Sequence, residues 1–87
     1  MQSRYFIYVV KSADKSLEKI PQPWHRKIVS ILKSLETDSL LGEKMHGELS
    51  DKRKVKIWPY RIIYQIDEKE NAIIVVEIKH RGNVSYD

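Results

Sequence analysis

Residues 52 to 64 read Lys52-Arg53-Lys54-Val55-Lys56-Ile57-Trp58-Pro59-Tyr60-Arg61-Ile62-Ile63-Tyr64. From Lys54 to Ile57 charged and apolar side chains alternate strictly. Successive side chains of a strand face opposite sides, so Val55 and Ile57 turn one way and Lys54 and Lys56 the other. One face of such a strand suits a core and the other is charged. Residues 52 to 61 hold five cationic side chains and no acidic one. A local positive stripe attracts phosphates better than the same charge spread evenly. Trp58-Pro59 interrupts the alternation and reads as a reversal between a strand over about 52–58 and a second over 60–66. A third strand, 72–79, follows the polar run Asp67-Glu68-Lys69-Glu70-Asn71. Both connections are short enough to be hairpins. Beyond them come Lys79-His80-Arg81 and then Tyr86.

Upstream of this meander, residues 4–11 (Arg4-Tyr5-Phe6-Ile7-Tyr8-Val9-Val10-Lys11) are rich in aromatic and β-branched types and predict a strand. Their near-continuous apolar character implies burial on both faces or an aromatic contribution to a site. Ser12 is the expected N-cap of a short helix over 13–20, with Ala13, Leu17 and Ile20 forming one apolar stripe. Pro21 and Pro23 separate it from a second helix over 24–36, whose buried face is Trp24, Ile28, Ile31, Leu32 and Leu35. Residues 40–51, punctuated by Gly42 and Gly47, read as loop. The order β-α-α-β-β-β predicts a two-layer α+β domain. A helical hairpin covers one face of a small, twisted, mainly antiparallel sheet, and the first strand joins the meander after a full circuit.

Eighty-seven residues make a single domain, 1–87, with one modest core. A composition of 41% hydrophobic and 32% charged residues is that of a globular chain and argues against disorder. The absence of cysteine excludes disulfides, thiolate zinc sites and thiol nucleophiles. His25, His46 and His80 lack metal-ligand spacing, and no Gly-rich phosphate loop or serine triad is present, so no metal or cofactor is expected. The longest apolar run, Tyr5 to Val10, is too short to span a bilayer and lacks the features of a signal peptide. The expectation is a cytoplasmic protein without a membrane partner. The formal net charge of +4 is mild, and its concentration in the 52–61 stripe says more than its size.

Four segments in this order resemble the RelE/ParE superfamily of small toxins from toxin–antitoxin pairs. They are the opening strand with Lys11-Ser12-Ala13-Asp14-Lys15-Ser16-Leu17, the Gly42-to-Leu49 segment, Tyr60-Arg61-Ile62-Ile63-Tyr64-Gln65-Ile66-Asp67, and Ile78-Lys79-His80-Arg81 through Tyr86. The resemblance covers essentially the whole chain and implies a RelE-like fold and a cognate antitoxin as partner. RelE-like members cut mRNA in the ribosomal A site, whereas ParE-like members poison DNA gyrase and lack the cationic cleavage set. Lys54, Lys56, Arg61, Arg81 and Tyr86 match the RelE-like set. The resemblance therefore implies a metal-independent, ribosome-dependent mRNA endoribonuclease, with Lys52, Arg53 and Lys79 as further RNA contacts.

The chemistry of these residue types agrees. RNA carries its own nucleophile in the 2′-hydroxyl, so an enzyme need only take that proton, stabilise the pentacoordinate phosphate and protonate the leaving 5′-oxygen. Arginine suits the middle task, because guanidinium pairs phosphate oxygens bidentately. Lys54 or Lys56 would act as base only when neutral, a form that a neighbouring like charge and partial burial favour. His80 is the alternative acid or base, and Tyr86 suits stacking on a base or orienting the 2′-hydroxyl. Each residue also has a plainer reading. Lys54 and Lys56 alone fit a solubilising sheet face. Arg61 fits an ion pair with Glu77 as well as a phosphate site, and His80 fits a hydrogen-bonded surface or core position. Tyr60, Tyr64 and Trp24 fit packing, and Trp58 fits a hairpin tip. A ParE-like gyrase inhibitor and an inactive RNA-binding remnant are the competing functions.

Overall fold

The computed structural model describes residues 4 to 80. Strand β1 (Phe6–Val9) runs into helix α1 (Lys11–Glu18), and helix α2 (Trp24–Leu35) returns the chain across the sheet. A two-residue strand β2 (Glu43–Lys44) and a 3₁₀ turn (Gly47–Leu49) precede β3 (Lys52–Ile57), β4 (Tyr60–Asp67) and β5 (Ala72–His80). The strands form one sheet in the order β1-β5-β4-β3-β2. All pairings are antiparallel except β1 with β5. The expected two-layer α+β architecture is present, with β1 beside β5 after the helical circuit.

The core forms where the apolar stripes of both helices meet one face of the sheet. Ala13 and Leu17 from α1, Ile20 just beyond it, and Ile28, Leu32 and Leu35 from α2 pack with Tyr60, Ile62, Tyr64, Ile73, Val75 and Ile78. Trp24 and Ile31 are partly buried against this cluster, so all five residues of the α2 stripe face inward. Burying each large aliphatic side chain contributes roughly 1.5–3 kcal/mol, and the helical layer is the sole cover for this face among the described residues.

Beyond shifts of one or two residues at element ends, two features differ from the sequence reading. Helix α1 begins at Lys11, with Val10 as its N-cap and no side-chain capping bond, so Ser12 lies inside the first turn. The cause is the abrupt strand-to-helix junction. The Val10 N–H still donates to Val75 O (3.1 Å) as the last bond of the sheet, and its carbonyl already accepts from Asp14 N (2.9 Å) as the first of the helix. No residue is left over for a separate cap. The second difference is β2, which sits inside the segment read as loop. Glu43 pairs with Lys54 and Lys44 with Arg53.

The β4–β5 reversal follows the Asp67–Asn71 run as expected. Asp67 Oδ1 accepts from Glu70 N (3.0 Å), and Asn71 takes a left-handed φ of 56°, which its short polar side chain tolerates. Trp58–Pro59 forms the β3–β4 reversal with a cis peptide bond, and Ile57 faces Tyr60 across it.

Candidate nucleic-acid interface

Register decides which side chains share the helix-free face. Val55 pairs with Ile62 and Ile57 with Tyr60, all on the helix side with the core. Lys56 pairs with Arg61 and Arg61 with Lys79, so these three cations stand in one row across β3, β4 and β5 on the opposite face. The next row is Lys54, Ile63 and Glu77, and the one beyond it Lys52, Gln65 and Ile74. Neighbouring strands lie about 4.8 Å apart, so the Lys56–Arg61–Lys79 row spans roughly 10 Å. A phosphate laid across it meets three positive charges.

The third member of that row owes its place to a β-bulge. Tyr64 pairs with Val75 but Ile63 pairs with Glu77, which leaves Val76 as an extra residue in β5. Below the bulge Ile73 and Val75 point to the helices. Above it Ile78 and His80 do, and Lys79 turns outward beside Arg61. Bulges re-aim side chains in this way. Simple alternation from Val75 would have placed Lys79 inside and His80 outside.

His80 therefore does not join the lysines. Its ring lies 5.0 Å from that of Tyr60 in an edge-on contact at 86°, on the helix side, where Trp24 also approaches Tyr60 at 6.3 Å. Its Nδ1 is buried without a hydrogen-bond partner among the described residues. His80, Tyr60, Ile78, Lys79, Ser16, Lys19 and Ile20 line a cleft of about 390 Å³ between α1 and the sheet. Arg53 is displaced from the set for the same reason of register. It pairs with Tyr64 on the helix side and its Nε donates to Gly42 O at 2.9 Å. That bond makes it a brace for β2 and turns it away from the charged face. Lys52, Lys54, Lys56, Arg61 and Lys79 are brought together. Arg81 and Tyr86 lie outside the described residues.

A carboxylate that sequence reading missed stands among these cations. Glu43 is the register partner of Lys54, and its Oε2 lies 3.9 Å from Lys56 Nζ. Glu77 Oε2 holds Lys79 Nζ at 3.3 Å, and Asp51 Oδ1 holds Lys52 Nζ at 3.3 Å. Lys54 forms no ion pair among the described residues. Each pair has at least one well-exposed partner, so each adds little to stability. Arg61 is only 8% exposed and is the deepest cation of the set. Glu43 was hidden because a two-residue strand of charged side chains carries no periodic signal.

Tyr64 fixes β2 in place from below. Its hydroxyl donates to Ser39 O (2.7 Å) and accepts from Gly42 N (2.9 Å). Burial pushes its phenol above the ordinary value of 10.0, against the Gly42 N–H and the Arg53 charge, which pull it down. A Cβ on Gly42 would meet Lys54 O at 2.7 Å and Tyr64 Cε1 at 2.8 Å, so only glycine lets β2 approach β3 this closely.

Among the described residues no group of three or more His, Asp or Glu side chains could hold a metal ion. No helix there is long and apolar enough to cross a membrane.

A helical hairpin on one face of a five-stranded sheet, with clustered cations on the other, places the chain in the class of RelE-like α+β domains. The sequence profile described as ParE toxin of type II toxin–antitoxin system, parDE, matches residues 7–84. The chain belongs to that family, within the RelE/ParE superfamily, and is a toxin of the type II class. No curated protein sequence matches it. The fold is similar to that in the toxin–antitoxin complex RelBE2 from Mycobacterium tuberculosis, with a TM-score of 0.81 and 22% identity over 90% of this chain and 99% of that one. It is also similar to the isolated RelE toxin of E. coli, with a TM-score of 0.77 and 22% identity over 87% and 83% of the two chains. The YoeB–YefM complex from Staphylococcus aureus gives a TM-score of 0.71 and 22% identity over 90% and 98%.

Proposed function

We propose that this toxin is a metal-independent endoribonuclease that cuts mRNA presented by the ribosome in the cytoplasm, and that a cognate antitoxin restrains it. The observation that carries the reading is the Lys56–Arg61–Lys79 row with Lys54 and Glu43 beside it. In the proposed reaction the 2′-oxygen attacks the adjacent phosphorus and its proton passes to a base. The bond from phosphorus to the 5′-oxygen breaks, and that oxygen takes up a proton. The products are a 2′,3′-cyclic phosphate and a 5′-hydroxyl end. Arg61 pairs the non-bridging oxygens as charge develops on them. Lys54 and Lys56 add charge at the same phosphate, and Lys52 and Lys79 hold its neighbours. Glu43, Glu77, Lys54 and Lys56 are among the groups on this face able to accept the 2′-proton. Glu43 Oε2 stands 3.9 Å from Lys56 Nζ, beside the proposed phosphate site. Arg81 and Tyr86, which the family resemblance implicates, complete the proposed set.

Primer extension on programmed ribosomes in EDTA tests this reading. Cuts at the A-site codon, with naked RNA cut far more slowly, are expected. Equal cutting of naked RNA removes the ribosome dependence, and loss of all cutting in EDTA removes the metal independence. A second reading has one observation in its favour, the match to a profile named for ParE toxins. A ParE-like activity would appear as inhibition of DNA gyrase supercoiling by the purified toxin, with ribosome-bound mRNA left intact.

A further inference from the structure

The cations occupy one corner of the helix-free face, and the diagonally opposite corner is aromatic. Phe6 and Tyr8 on β1 are 77% and 60% exposed, whereas Ile7 and Val9 between them pack against the core. Phe6 lies beside Ala72 and Tyr8 beside Ile74. Ile74 pairs with Gln65, and Gln65 with Lys52. Tyr8 therefore stands in the same cross-sheet row as Lys52, on the face that carries Lys54 and Arg61. Two exposed aromatic rings on an edge strand add nothing to the core, and edge strands usually carry charge to discourage pairing with other chains. From Tyr8 to Arg61 is two strand spacings and four residues of strand, about 17 Å between Cα atoms. Ile74, Gln65 and Ile63 lie along that diagonal, and Lys52 and Lys54 stand one strand further on, on β3. Of the acids on this face, Glu43 and Glu77 are engaged by Lys56 and Lys79, and Asp67 stands two strands from Phe6 in the row Phe6, Ala72, Asp67.

We infer that Phe6 and Tyr8 form a base-stacking platform for single-stranded RNA, seating bases a few nucleotides from the phosphate held at Arg61. The inference rests on the ribonuclease reading and adds a subsite to it. Exposed rings offer flat faces on which any base can stack, and a sheet face that pairs such rings with cations tracks a single strand through both bases and backbone. The cations at the Arg61 end of the diagonal, and Lys52 in the same row as Tyr8, favour a polyanion over an apolar or acidic protein segment as the occupant.

The probe is a short 2′-O-methyl RNA carrying 2-aminopurine, which cannot be cut and whose fluorescence is quenched on stacking. The parent should bind it with quenching. The paired change Phe6→Leu with Tyr8→Leu keeps apolar area but removes the rings. It should weaken binding by about 5- to 150-fold per stacked base and abolish the quenching. Tyr8→Phe and Phe6→Tyr should bind within about threefold of the parent, as a stacking role requires. Circular dichroism verifies folding, and the single leucine variants replace the pair if the pair unfolds. Binding by the parent without quenching, or leucine variants that bind within about threefold of it, overturns the platform and leaves the patch as a surface for a protein partner. The two readings fail differently. A parent that cuts no RNA removes the ribonuclease. A parent that cuts RNA while its leucine variants bind and quench unchanged removes the platform alone.

Discussion

At the scale of the residue, Arg61 and Tyr64 carry the argument from opposite faces of the same strand. Arg61 sits between Lys56 and Lys79 in register, and in the proposed reaction it meets the phosphate as charge builds there. Arg61→Ala should slow single-turnover cleavage by about 10²–10³. Arg61→Lys should restore part of the loss, since lysine keeps the charge without the fork. Glu43→Gln separates the possible bases. If the carboxylate takes the 2′-proton, the rate falls by about 10²–10⁴ with RNA affinity unchanged or improved. An unchanged rate assigns that step to another group on the face. Tyr64 is structural. Replacing it by phenylalanine strands the Ser39 carbonyl and the Gly42 N–H, and should cost about 2 kcal/mol in urea titrations. Its raised phenol value gives a pH signature as well. A group that keeps its proton longer when folded contributes stability that is full below its unfolded value and is lost as pH rises through the folded one. Unfolding stability should therefore fall above about pH 10, and Tyr64→Phe should flatten that fall.

At the scale of the element, β2 is the smallest strand and has the largest bearing on the site, since it places Glu43 against Lys54 and Lys56. Gly42→Ala forces a Cβ into the backbone of β3 and should destabilise the fold by about 1–3 kcal/mol. Cleavage should fall with it as Glu43 loses its seat, which urea titration and single-turnover rates on one sample would show together. The alternation of β3 was legible because Val55 and Ile57 are apolar between lysines, a pattern with one solution in a half-buried strand. The stripes of α1 and α2 were legible for the same reason, through a different period. Three features were not. Ser12 looked like a cap, but whether a strand passes straight into a helix depends on sheet bonds made by Val10 with residues sixty-five positions away. Residues 43 and 44 have no pattern of their own and become a strand only because β3 offers an edge. The fate of His80 turned on Val76, since one unpaired residue reverses every side chain beyond it. Nothing in Ile73-Ile74-Val75-Val76, which is apolar at every position, marks where the bulge falls.

At the scale of the whole molecule, one sheet serves two solvents. Its helix side holds the core, and its free side carries cations at one corner and aromatic rings at the other. A partner that covers this free side silences the proposed activity without touching the core. The proposed antitoxin, the acidic product of an adjacent gene, should restore growth on co-expression. At a thousandfold excess over its Kd it should raise stability by about 4 kcal/mol, read as an upward shift in Tm. Growth inhibition that persists despite a verified complex would contradict the proposed restraint.

The most direct measurement is single-turnover cleavage on programmed ribosomes by the parent, Lys56→Ala, Arg61→Ala and Arg61→Lys, with Lys33→Ala on the exposed side of α2 as the control and circular dichroism on each. The account predicts A-site cuts by the parent and by Lys33→Ala at similar rates, a loss of about 10²–10³ for Arg61→Ala, and partial recovery for Arg61→Lys. A folded Arg61→Ala variant that cuts within about threefold of the parent would contradict the claim that the cationic row is the catalytic surface.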